Sequence, residues 1–139
     1  MRNLLFVAAL AAAGTAGADC LKDGDSVMLS GKVVAKVFPG PPNYYSIQQG
    51  DQPENAWLLV LDKPECVQAR SEDNGAIYTL PGPVQVVQMA FKTQGVADLY
   101  SQMIGHHVQA AGMLAVNSSP HVHAPAVLGV DAMKKSFPW

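Results

Sequence analysis

Gln94-Gly95-Val96-Ala97-Asp98-Leu99-Tyr100-Ser101-Gln102-Met103-Ile104-Gly105 is the segment on which the fold turns. Val96, Leu99, Tyr100 and Met103 fall at i, i+3, i+4 and i+7, so one stripe of a helix of about ten residues is apolar. Gly105 stands where a helix C-terminus favours glycine. Everything around this segment reads instead with the two-residue period of strands.

Before the helix, Val27 to Phe38 places Val27, Leu29, Gly31, Val33, Ala35 and Val37 on one face and Ser30, Lys32 and Lys36 on the other. Pro39-Gly40-Pro41-Pro42 closes that strand, and a long polar connection leads to the apolar run Trp57 to Leu61, a second and more buried strand. Asp62-Lys63-Pro64 should stop it, because proline removes a ladder donor. Gln68 to Pro83 reads mostly as loop, with Ala76 to Leu80 able to add a short strand. Val84 to Phe91 is a third clear strand, whose apolar parity switches between Val86 and Val87 as at a β-bulge. After the helix come Val108 to Val116, the turn Asn117-Ser118-Ser119-Pro120, and Val122 to Val130 with Val122, Ala124, Ala126, Leu128 and Val130 on one face. A helix between the third and fourth strands of a five-stranded antiparallel sheet is the arrangement of an OB-fold-like barrel, all-β apart from one short helix. A small β-sandwich is the alternative, but it gives the helix no structural task.

The N-terminus carries a different signal. Met1-Arg2-Asn3, an apolar run Leu4 to Ala13 and the small residues Ala16-Gly17-Ala18 have the pattern of a cleavable signal peptide, residues 1–18. The apolar run is shorter than the roughly 20 residues a spanning helix needs. Cleavage after Ala18 leaves one domain, residues 19–139, secreted or periplasmic. Asp19 before Cys20 disfavours lipidation, which wants a small residue there, so no membrane anchor is expected. Cys20 and Cys66, the only two cysteines, should pair in an oxidising compartment. Removing Arg2 with the signal leaves 8 basic against 11 acidic residues, net −3, with the bases scattered. Nucleic acid binding, which needs phosphate neutralisation, is excluded on that count.

The run Phe38-Pro39-Gly40-Pro41-Pro42-Asn43-Tyr44-x-Ser46-Ile47-x-x-Gly50-Asp51-x-Pro53-Glu54, then Trp57-x-Leu59-x-Leu61-Asp62-x-Pro64-x-Cys66-Val67, resembles a bacterial exported family known as domain of unknown function 4431. Ile104-Gly105-x-x-Val108-x-Ala110-x-Gly112 and His121-x-His123-x-Pro125-x-Val127-Leu128 are similar to its second half. The resemblance implies export and a compact β domain. It implies no reaction, since the family has no settled activity.

Candidate sites follow from residue chemistry. The loop Pro39 to Glu54 is stiffened by proline and offers Tyr44, Tyr45, Ile47, Asp51 and Glu54, with Trp57 beside it, as contacts for a protein partner outside the cytoplasm, of inhibitor or immunity type. The tyrosines could instead fold back and cap the barrel. His107, His121 and His123 are the alternative, a weak zinc or copper site; His121 and His123 read as neighbours on the outer face of the fifth strand, about 7 Å apart. His106 completes the histidine set. A cell-wall glycan-binding accessory is a further alternative. No G-x-S-x-G or H-E-x-x-H motif, free cysteine or cofactor fingerprint is present, so a non-enzymatic module is expected, with Asp51 and Glu54 as the one conceivable acid and base pair.

Overall fold

The computed structural model describes residues 19–137, so the expected signal peptide, residues 1–18, lies outside the described residues. Its strands are β1 (Leu21–Lys22), β2 (Ser26–Pro39), β3 (Pro53–Glu65), β4 (Val67–Arg70), β5 (Ile77–Thr79), β6 (Val84–Ala90), β7 (His107–Ala115) and β8 (Ala126–Lys135). Helix α1 (Gln94–Leu99), followed by a 3-10 turn at Ser101–Met103, stands between β6 and β7.

Five strands close a barrel in the order β2-β3-β6-β8-β7. Closure rests on the long β2, which pairs with β7 through its first half and with β3 through its second, Gly31 facing both Val108 and Leu61. All junctions are antiparallel except β6 with β8, which is parallel at Val87↔Ala126. The OB-fold-like barrel is therefore formed, not the sandwich. Alternation supplies its core: Leu29 and Val33, Leu59, Val87 and Met89, Val108, Ala110 and Leu114, and Ala126, Leu128 and Val130 all point inward. Strands β7 and β8 come closest at Gly112, where a Cβ would collide with the Gly129 carbonyl oxygen.

The helix lies where expected but is shorter. Thr93 caps it, its hydroxyl oxygen accepting from the Val96 N–H at 3.2 Å, as an N-cap threonine does. Trp57, Phe91 and Tyr100 form an aromatic layer beside it. Leu99, assigned above to the apolar stripe, is exposed; Ala97 is the buried residue.

Two expectations need correction. β3 runs through Pro64 to Glu65. Its register with β6 is broken between Val60 and Glu65, so the missing proline N–H costs no ladder bond there. Residues 68–83 are mostly loop, as expected, with β5 the short strand inside Ala76–Leu80; β5 forms a hairpin with β4, and β1 joins β4 in parallel to make a small second sheet. The Cys20–Cys66 disulfide ties the start of that sheet together, with the Leu21 N–H donating to the Cys66 carbonyl at 2.8 Å. Finally, β8 begins at Ala126 rather than Val122, which takes His121 and His123 off the strand and into the β7–β8 connection. No described helix is long and apolar enough to cross a membrane.

Candidate functional site

The β2–β3 loop, residues 40–52, is organised by one carboxylate. Asp51, only 5% exposed, accepts from the Asn43 N–H through one oxygen (2.9 Å) and from the Tyr45 and Ser46 N–H groups through the other (both 2.8 Å). The bonds from Ser46 and Tyr45 hold its carboxyl below the ordinary value of 3.8 against the opposing effect of burial, because they favour the charged form. Wrapping the backbone around that side chain drives Tyr44 to φ 56°, a left-handed conformation rare for a bulky residue. The two tyrosines consequently part. Tyr44 turns inward onto His121, with ring centroids 5.3 Å apart, edge to face. Tyr45 is left 76% exposed, and Ile47 beside it 42%.

The inward side meets the β7–β8 connection, residues 116–125. Phe38 and Glu54 are cross-strand partners on the outer face of β2 and β3. His123 stacks on Phe38 with centroids 4.2 Å apart and its Nε2 bonds a Glu54 oxygen at 2.8 Å. His121 Nδ1 donates to the other Glu54 oxygen. With that proton on Nδ1, the neutral ring has an acceptor at Nε2. The Tyr44 hydroxyl donates to it at 3.3 Å. On β6, Gln88 completes the attachment by donating to the His121 carbonyl (3.0 Å) and accepting from the His123 N–H (2.7 Å). Bonding to His121 and then to His123 keeps the Glu54 carboxyl below its ordinary 4.5, against the desolvation that raises it.

Bonded to Gln88 at one side and to Glu54 and Phe38 at the other, the connection runs from β6 across β3 to β2. It is a strap over the outer barrel face. This accounts for Ala56, Leu58 and Val127, which strand parity turns outward yet which are buried. In OB-folds the face of the second and third strands, flanked by these same two loops, is where extended oligonucleotides and oligosaccharides lie. Here the chain's own residues lie there.

Of the residues singled out from sequence, Tyr44 and Glu54 enter the strap cluster and Tyr45 and Ile47 remain displayed. Both Asp51 oxygens accept from the backbone of its own loop. Trp57 is not beside the loop surface either; odd parity sends it inward to Phe91, with ring centroids 4.8 Å apart. Asp51 and Glu54 form no acid and base pair. The three-histidine metal set is not assembled. His107 bonds Asp62 and Ser136 instead. Asp62 lies eight residues along β3 from Glu54, a separation of about 26 Å at the rise of an extended strand. His121 and His123 engage different oxygens of Glu54, so the three side chains point at one another rather than at a common centre. Among the described residues no group of three or more His, Cys, Asp or Glu is placed to hold a metal ion. Sequence reasoning missed Phe38 and Gln88. Phe38 carried a readable signal, an aromatic on the polar parity of β2; Gln88 carried none.

Compared with known proteins, the chain matches no family model, and no curated protein matches it.

Proposed function

We propose that this chain is a binding module of the periplasm or extracellular space that recognises a protein partner through the tip of the β2–β3 loop. The observation that carries this reading is the loop pinned by Asp51, which holds Tyr45 and Ile47 out in solvent, with little ordering entropy left to lose on binding. An aromatic with a polar tip on a rigid support is a frequent hot spot at protein interfaces. The strap speaks against the glycan alternative, since an extended sugar chain would have to displace it from the outer face of β3. An inhibitor or immunity role suits a small preorganised contact surface. The disulfide fits an oxidising compartment, and a Cys20 sulfur shared with Cys66 cannot also carry the thioether of a lipid anchor. Processing to Asp19 and membership of the exported family that the sequence resembles belong to the same reading.

The test is capture from periplasmic extract on immobilised mature protein, followed by titration of the captured partner. Tyr45→Ala or Ile47→Ala should weaken binding by about 1–3 kcal/mol with little change in melting temperature, as truncated hot spots do. A partner that binds both variants as tightly as the wild type would remove the loop tip from the site.

A further inference from the structure

Near the other end of β3 from Glu54, three side chains outside the strap cluster stand in a row. Asp62 follows the inward-facing Leu61, so it points outward. His107 opens β7 on the outward parity, ahead of the buried Val108. Ser136 lies across from His107 just past the end of β8, and its N–H donates to the His107 carbonyl at 2.9 Å. The side chains are joined in the same order: Asp62 Oδ2 is 2.5 Å from His107 Nε2, and His107 Nδ1 is 2.7 Å from Ser136 Oγ. A carboxylate on Nε2 fixes the proton there and leaves the Nδ1 lone pair directed at the serine hydroxyl. The ring nitrogens are used in the reverse order from the serine proteases, but the roles require only that one nitrogen be held by a carboxylate while the other faces the hydroxyl. The His107 side chain is shielded at 13% exposure, while that of Asp62 is half exposed at 49%. A surface depression of about 410 Å³ is lined by Ser30, Gln109, Lys134, Lys135 and Phe137 together with the three. That volume is in the range of small-molecule sites, and the lysines make its wall cationic.

We propose that Ser136 is a nucleophile toward small esters bearing a negative charge, with His107 as its general base and Asp62 as a positioning residue. Ser136 Oγ forms a bond to the ester carbonyl carbon while its proton passes to His107 Nδ1. The tetrahedral adduct expels the alcohol oxygen, which takes that proton and leaves as the alcohol. Water then attacks the acyl-serine, losing a proton to the same Nδ1, and returns Ser136 with release of the carboxylic acid. Ser30, Gln109 and the two lysines are the donors available to the transient oxyanion. The same row could serve only as a clamp on the strand ends, and the experiment separates the two.

Native, disulfide-intact protein is treated with a fluorophosphonate, and the adduct is mapped by mass spectrometry. p-Nitrophenyl acetate and a carboxylate-bearing p-nitrophenyl hemisuccinate are followed in parallel. The adduct should map to Ser136, be absent in Ser136→Ala, and form about 10²-fold more slowly in His107→Gln, the loss expected when a general base is removed. Asp62→Asn should slow labelling with Asp62→Glu restoring part of it, and the hemisuccinate should turn over faster than the acetate. Ser136→Ala removes one surface hydroxyl and should fold even if His107→Gln does not. No adduct at Ser136, an adduct only on lysines, or labelling of folded His107→Gln at the wild-type rate would overturn the proposal.

Discussion

Replacing Glu54 with alanine should release the strap, and the size of the effect can be worked from the exposure of its partners. A hydrogen bond to a charged group contributes about 1.5–3 kcal/mol when shielded, and an exposed ion pair only about 0.2–1 kcal/mol. The His123 side chain is 12% exposed and the His121 side chain 60%, so the first bond belongs near the lower end of the shielded range and the second must be discounted for solvent. Together they give about 2–3 kcal/mol, or a fall of about 10 °C in melting temperature for a domain of this size. Glu54→Gln, which keeps one acceptor, should lose less. The folded carboxyl titrates below the ordinary 4.5. Its stabilisation is therefore fully present above that unfolded value and disappears as pH falls through the depressed folded one. The margin of wild type over Glu54→Ala should be widest near neutral pH and shrink on acidification below 4.5. Thermal unfolding across this range measures it, and amide exchange at His121 and His123 should accelerate in the variant. An unchanged melting temperature, or a margin that does not vary with pH, would refute the strap as described.

Asp51→Asn places amide hydrogens against the backbone donors of the β2–β3 loop, so residues 40–52 should become open to limited proteolysis while the barrel stays folded. The stability that Asp51 contributes should be lost as pH falls through a folded value lying below 3.8, which acid unfolding of wild type and variant will compare. Replacing Cys20 and Cys66 together with serine opens a crosslink spanning 46 residues and should lower the unfolding free energy by about 4 kcal/mol, read from denaturant midpoints at constant slope. Gly112→Ala would drive a methyl into the Gly129 carbonyl oxygen, a backbone atom that no rotamer change can move, and should cost about 3 kcal/mol or more by the same assay.

Period-two alternation from Val27 to Phe38, across Val84 to Phe91 and from Val108 to Val116 was sufficient to place the strands and their inner faces, because a strand half buried in a core must alternate. The helix inserted after the third strand and the pairing of the two cysteines were likewise legible in local composition. What local pattern could not say is which outward faces are covered. On β3, Leu59 is buried by its inward parity and Val60 is exposed, but the burial of the outward-facing Ala56 and Leu58 goes with a strap bonded to Glu54 and to Gln88, which local pattern does not reveal. His121 and His123 alternate with apolar neighbours as a strand would, yet β8 starts later. Pairing with β7 and β6 fixes where β8 begins, and that register is a property of the closed barrel. The separate fates of Tyr44 and Tyr45, adjacent and identical in sequence, depend on a left-handed turn around Asp51 that no propensity encodes. The meetings of Glu54 with two histidines, and of Ser136 with His107 and Asp62, bring together residues from distant strands. Barrel closure decides such contacts, because a side chain's neighbours across a sheet are set by register and its neighbours along the chain are not.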